Sequence, residues 1–412
     1  MIFFHGHRKP ISRWLFGWFK FGARTLFRYC RKFLEFLILS PVIVFYLIVS
    51  IVNKSKILVV GQSSNISGFI PGIEQELRRL SFNKNDLARI VVLNLSDDAN
   101  SEVREIFDQI VTIYGSECKF RRRVFLWVYR FRHNGSHLVE DKSSASWSQP
   151  SRNIRFSDSK IVIGNSYLEL CGVPPQGQFI CYAVRSESYY LAQIARGAKL
   201  LPRTVRNPKE TTYLNVASKI CDEYFPVFRM GKDLDVTIDT ARYPKVIDYA
   251  LRNRSDFLDV FLLANCKFLL LGNTGLFWIS SLFDKPTAHC DLYDIRHQVI
   301  VGDLMIFQKL WLKNERRLAT VSEMLRMGGF YSKESHQNVL GVELIKNTEE
   351  EIFSLFNEMN LRVDNLWESS DDDEELQNRY VRLVMQYSNK PTWRGGGRVG
   401  TQFLRDNQDL LK

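Results

Sequence analysis

Four short, mostly apolar runs between residues 178 and 290 constrain the fold most. They read "QFICYAVR" (178–185), "VFRM" (227–230), "KFLLLG" (267–272) and "PTAHC" (286–290). Runs of this length suit strands buried on both faces. Helix-length segments at 211–225, 257–266 and 276–284 separate them. In the first of these, Tyr213, Val216, Ala217, Ile220, Cys221 and Tyr224 fall on one face at 3.6-residue spacing. Strand and helix in alternation predict a parallel, doubly wound α/β sheet. "DVTID" (235–239) is expected to add a strand.

A similar alternation comes earlier. "SKILVVGQSSN" (55–65) reads as a buried strand and its loop, and "ISGFIPGIEQELRRL" (66–80) as a loop and helix. "ARIVVLNLSDD" (88–98) is the next strand, 101–110 a helix and "VTIYG" (111–115) a strand. Gly61 suits the close approach of a ligand, but no G-x-G-x-x-G follows, so no dinucleotide is assigned here and a methyl-transfer or nucleotide-dependent Rossmann enzyme is disfavoured. The polar, serine-rich stretch 134–158 reads as a loop. A chain of 412 residues has room for two domains. The expectation is two Rossmann-like halves facing a cleft, with ligands outside the carboxyl ends of the strands.

The charge is unevenly spread. Residues 1–53 hold eight Lys or Arg against Glu35 alone, a net +7, and the other 359 residues carry only +4. This favours an anionic surface at the N-terminal segment and no nucleic-acid partner. Lys20, Arg24, Arg28 and Arg31 form one helical stripe within the aromatic-rich stretch 13–34, as expected of a helix lying on anionic lipid. Residues 36–52 follow without a charge, at the short edge of a membrane span. Cations before this segment keep the N-terminus cytoplasmic. A re-entrant segment bent at Ser40–Pro41 would keep the remainder on the same side, at the cytoplasmic face of the inner membrane. A single-pass signal anchor is the alternative. A second basic patch, "KFRRRVFLWVYRFRH" (119–133), is either a further membrane contact or a strand or helix with a solvated face. The seven cysteines are scattered without a C-x-x-C pair, which fits a reducing compartment and supplies no zinc site.

Three arginines mark element ends: Arg185 and Arg229 at strand carboxyl ends, Arg206 before a helix. The planar guanidinium fork suits phosphate. "LLLGNTGLFWISSLF" (269–283) adds a strand, the loop Gly272-Asn273-Thr274-Gly275 and a helix start, a place where backbone donors attract phosphate. The acidic run "SSDDDEEL" (369–376) follows no strand and reads as a solvated segment or helix start, not a metal motif.

Together, "FICYAVRSESYY", "VRNPKETTYLNVASKICDEYFPVFRMGK" and "DFLDVFLLANCKFLLLGNTGLFWISSLFDKPTAHCD" resemble the successive blocks of a bacterial surface-polysaccharide glycosyltransferase family. The last two are also similar to the donor half of fucosyltransferase-like enzymes of the GT-B fold. The resemblance covers about residues 178–295 well and 56–115 loosely. With the composition above, the expected organisation is a membrane-association segment at 1–53, an acceptor domain at 54–133, a linker and loop region at 134–177, a donor-binding domain at 178–345, and C-terminal helices with a polar tail at 346–412. The resemblance supplies the acceptor and donor roles. It implies a metal-independent transfer from a nucleotide-sugar donor to a lipid-linked or glycan acceptor, with no cofactor. Arg185 and Arg229 would meet the donor diphosphate. Arg206, Asn207 and Tyr213 would line the donor or acceptor side, and Gly272, Asn273, Thr274 and Gly275 would hold the nucleotide or phosphate. Glu187, Asp239 and His289 are candidate bases. Where the family has Asp after the first arginine this chain has Ser186, which keeps open a noncatalytic sugar-nucleotide binding or scaffold role.

Overall fold

The computed structural model describes residues 30, 34, 37–48, 56–60, 64–79, 90–95, 97–132, 154–174, 176–195, 207–296, 300–328, 334–387 and 396–412. Arg206, Gly61, the Lys20/Arg24/Arg28/Arg31 stripe and the loop 134–153 lie outside the described residues. After the helical residues 37–48 come β1 (Lys56–Val60), α1 (Ile66–Arg79), β2 (Ile90–Asn94), α2 (Ser101–Asp108), β3 (Thr112–Tyr114), α3 (Lys119–Arg132) and α4 (Asp158–Leu170). Next are β4 (Ile180–Val184), α5 (Glu187–Ala195), α6 (Glu210–Glu223), β5 (Val227–Met230), β6 (Val246–Ile247), α7 (Tyr249–Arg252), α8 (Asp256–Asn265), β7 (Leu269–Gly272), α9 (Phe277–Leu282) and β8 (Thr287–Leu292). The remainder are β9 (Leu304–Phe307), β10 (Lys309–Leu312), β11 (Arg317–Leu318), α10 (Val321–Arg326), α11 (Glu334–Leu340), β12 (Val342–Ile345), α12 (Glu349–Val363), α13 (Asp371–Tyr387), β13 (Arg398–Val399) and α14 (Thr401–Asp406).

The chain divides into two compact units. The first comprises residues 1–59, 88–95 and 111–139, the second 60–87, 96–110 and 140–412. In the first unit the strands run in the order β1-β2-β3, with β2 and β3 parallel. Its core joins Leu39 and Ile43 of the helical stretch to Ile57, Leu93, Val124, Phe125, Val128 and Tyr129. Of the stretch 119–133, Lys119–Arg132 is thus a helix with one apolar face in a core, and Lys119, Arg121 and Arg123 are exposed. The helical run 37–48 passes through Pro41 without the expected break. Proline cannot donate to the carbonyl four residues back. Here the Ser40 hydroxyl donates to Leu37 O at 2.9 Å and occupies that acceptor instead. Among the described residues, no helix is long and apolar enough to cross a membrane.

The second unit is built on a seven-stranded sheet in the order β13-β9-β8-β7-β4-β5-β6, parallel at every pairing. The four apolar runs are its strands β4, β5, β7 and β8. "DVTID" is not one. Asp235, Val236 and Thr237 are exposed, and Ile238 N donates to the Asp248 carboxylate at 3.1 Å rather than to a neighbouring strand. A three-stranded antiparallel sheet, β11-β10-β12, flanks the main one.

Two segments are more ordered than the sequence suggested. Residues 158–170, read as part of a linker, form α4, and its Gly164 meets the face of Phe261: a Cβ there would lie 2.2 Å from Phe261 Cζ. The end of the chain is not a polar tail. Strand β13 pairs with β9, and Phe403, Leu404, Leu410 and Leu411 are buried. The acidic run 369–376 is a helix start as expected. Asp373 accepts from Ser370 N at 2.9 Å, and Arg405 beside it holds its carboxyl well below the usual range.

Candidate functional site at the sheet switch point

Strands β4, β5 and β6 progress toward one edge of the main sheet. β7, β8, β9 and β13 progress toward the other. The order therefore reverses between β4 and β7, and in an open parallel sheet the crevice outside the carboxyl ends at that reversal is where ligands bind. Two of the sequence candidates meet there. Arg185 follows the last residue of β4 and donates its backbone N–H to Gly272 O at 3.1 Å. Its Nη1 donates to Asn273 O at 3.2 Å, and its guanidinium carbon lies 4.4 Å from the centre of the Tyr190 ring. An arginine resting on an aromatic face is held by cation–π attraction. Tyr190 belongs to α5, and Ser186 caps that helix by accepting from Tyr189 N at 3.3 Å. An Asp would cap equally well, so Ser186 keeps the local structure an Asp would give. Glu187, the first residue of α5, is exposed.

The loop after β7 needs its residue types. A Cβ on Gly272 would sit 2.8 Å from Tyr213 Oη and 3.0 Å from Pro208 Cγ. Asn273 has φ +56°, a left-handed conformation that Asn tolerates better than most residues. Thr274 Oγ1 accepts from Leu276 N at 3.3 Å. Gly275 lies against α1, where a Cβ would be 2.2 Å from Ser67 Oγ. Helix α1 is clamped beside α9 by Arg78, which donates to Ser281 O at 2.7 Å and pairs with Glu74 at 2.7 Å. At six residues α9 is short, so its dipole adds little to the end of the loop.

A buried hub lies behind this loop. Asp291, at the carboxyl-terminal end of β8, is 1% exposed with φ +55°. Its Oδ2 accepts from Tyr213 Oη at 2.9 Å and its Oδ1 from Asn347 N at 2.8 Å. Its carbonyl accepts from Asn273 Nδ2 and from Gln308 Nε2, the latter at 2.9 Å. Its N–H donates to Asn347 Oδ1 at 2.7 Å. Burial pushes this carboxyl up despite those donors. Lys346, whose ammonium burial pushes down, donates to Asn207 O. Asn207 and Tyr213 are therefore joined to the crevice through the hub. Nothing in the motif reading singled out Asp291, Asn347 or Lys346. The available signal was a carboxylate directly after the strand "PTAHC".

The remaining candidates lie elsewhere. Arg229 is 2% exposed. Its Nε donates to Glu210 Oε1 at 2.6 Å, and its Nη1 to Val236 O at 2.8 Å and Asp248 Oδ1 at 3.3 Å. Burial raises the Glu210 carboxyl against the lowering pull of that guanidinium. His289 is enclosed in β8, 3.2 Å from Asp303 Oδ2, with the Phe277 ring edge-on at 5.1 Å. Asp239 is exposed and accepts from Ala241 N at 3.0 Å, closing its own turn. No group of three or more His, Cys, Asp or Glu side chains among the described residues is placed to hold a metal ion.

No family model matches the chain, and no curated protein sequence does. Among solved structures, the chain is similar to the E. coli ADP-heptose LPS heptosyltransferase II, at 13% identity and a TM-score of 0.46, over 75% of this chain and 99% of that one. It is similar to a glycosyl transferase family 9 protein from Veillonella parvula, at 11% identity and 0.31, over 59% and 67%. The E. coli heptosyltransferase WaaC with ADP-2-deoxy-2-fluoro heptose matches at 12% identity and 0.28, over 61% and 93%. At these scores the likeness does not by itself establish a shared fold, and the site stands on its own geometry.

Proposed function

We propose that the chain is a glycosyltransferase of GT-B type, moving a sugar from a nucleotide-sugar donor to a lipid-linked or polysaccharide acceptor in cell-surface glycan synthesis. The observation that carries this reading is the switch-point crevice, where Arg185 and the Gly272–Gly275 loop come together at the carboxyl ends of adjacent parallel strands. Breaking the bond from the anomeric carbon to a nucleoside diphosphate puts negative charge on the leaving group. A guanidinium fixed on Tyr190 stabilises that charge without reorganising. The glycines let loop backbone approach the phosphates. Arg229, held among Glu210, Val236 and Asp248, serves this site by positioning the start of α6. Glu187 is the best placed of the three candidate bases, since it is exposed two residues from Arg185, whereas His289 is enclosed and Asp239 caps a turn. Its carboxylate would take the proton of the acceptor hydroxyl as the new glycosidic bond forms. Transfer is metal-independent in this reading, and residues 1–53 bring the chain to the cytoplasmic membrane face.

Calorimetry with UDP, GDP, ADP and CMP in the presence of a chelator tests the reading. One of them should bind, and Arg185→Ala should weaken it about tenfold to a hundredfold, the worth of a charge-assisted hydrogen bond. Arg185→Lys should restore part, because it keeps the charge and loses the fork. Unchanged binding in R185A, with a native melting temperature, would remove the donor site from this crevice.

A further inference from the structure

The apolar stretch near the N-terminus has two faces with different environments. Leu39 and Ile43 are buried against β1, β2 and α3, and the Tyr46 ring lies 5.0 Å from that of Phe125. The opposite face is bare. Leu37, Ile38, Val44, Phe45 and Ile48 are 50–68% exposed. At 3.6 residues per turn these five fall within an arc of about 120°. A helix that supplies part of a domain core cannot also stand free across a bilayer.

We propose that residues 37–48 lie in the plane of the membrane surface, with the core face kept in the first unit and the bare face bedded in the acyl boundary of an anionic bilayer. The inference rests on the membrane assignment made above and replaces both the re-entrant bend and the spanning anchor with a monotopic seat. Charge selects this occupant. The segment 1–53 carries a net +7, and in the same unit α3 exposes Phe120 among Lys119, Arg121 and Arg123. Apolar side chains flanked by cations match the boundary between acyl chains and anionic headgroups. Because Leu39 and Ile43 keep the helix in its unit, that unit stays on the side of the membrane where the N-terminus lies.

Full-length protein carrying p-benzoylphenylalanine in place of Phe45, or of the buried Phe125, separates the possibilities on phosphatidylcholine vesicles with and without phosphatidylglycerol. Position 45 should yield lipid adducts and position 125 only protein crosslinks. I38D/F45D should lower vesicle co-sedimentation about a hundredfold, from two apolar side chains no longer buried, with an unchanged melting temperature. Lipid adducts at position 125 would show the helix leaving the core to span, and would overturn the proposal. So would full vesicle binding by I38D/F45D, which would place attachment in residues 1–34 alone, or a change in oligomeric state with vesicle binding intact, which would assign the face to a second copy. A parent chain that binds neither vesicle would sink the membrane assignment itself.

Discussion

Replacing Tyr213 by Phe tests whether Asp291 is a charged hub. The hydroxyl donates at 2.9 Å to Asp291 Oδ2, and the two residues are 0% and 1% exposed, so no water takes its place. A hydrogen bond to a charged group is worth about 1.5–3 kcal/mol and one to a neutral group about 0.5–1.5 kcal/mol. Burial holds the Asp291 carboxyl above the ordinary range. Its contribution to stability is therefore full below the unfolded value and is lost as pH rises through the folded one. The Tyr213 hydroxyl favours the charged form, so removing it pushes the carboxyl higher and enlarges the penalty as pH rises. Urea denaturation should show a loss of about 1 kcal/mol at about pH 4 and about 2–3 kcal/mol at about pH 8. The ring remains against Gly272, so nucleoside diphosphate binding should change far less than in R185A. Equal losses at the two pH values would refute the reasoning, because the carboxyl would then be in the same state at both.

Other outcomes follow from buried contacts. Arg229→Met leaves Glu210 and Asp248 without their shared cation and should cost about 3–5 kcal/mol in urea denaturation; a loss under about 1 kcal/mol would mean that the carboxylates are satisfied without it. Glu323 bonds Arg317 and the capped Thr320, which brings its carboxyl down to about 2 from 4.5. That contribution is present above the unfolded value and lost as pH falls through the folded one, so Glu323→Gln should melt lower than the parent near neutrality and the gap should close in acid. A gap independent of pH would exclude the carboxylate as its source. Gly164→Ala places a methyl on the Phe261 ring and should cost about 1–3 kcal/mol. Phe261→Leu in the same chain should recover part of that loss if the ring is the obstacle.

Strands β4, β5, β7 and β8 of the seven-stranded sheet were legible because each is buried on both faces, which leaves an uninterrupted apolar run. Their order was not, since it depends on which crossovers reverse, and that reversal is what brings Arg185 to Asn273. The loop Gly272–Gly275 could be found from its composition. The need for its glycines could not, because Tyr213, Pro208 and Ser67 approach them from distant parts of the chain. A strand-end arginine reads the same in sequence whether it rests on an aromatic ring beside a loop, as Arg185 does, or lies between carboxylates, as Arg229 does. Helix α4 was hidden by the run Ile161, Val162 and Ile163, which has no helical period, and by Gly164 in its middle.

The strand that closes the main sheet comes from near the end of the sequence given. Arg398 N donates to Asp303 O at 3.0 Å and Gly400 N to Met305 O at 2.9 Å. Glu358, buried on α12, accepts from Thr401 N at 2.6 Å and from Thr401 Oγ1 at 2.9 Å. During synthesis, therefore, β9 has an open edge and Glu358 lacks two of its donors until residue 401 has left the ribosome. The sheet that forms the switch-point crevice is therefore completed only after its other six strands have been made. A nascent chain stalled before β13 would present a bare parallel edge, the kind of surface that recruits chaperones or a second unfinished copy.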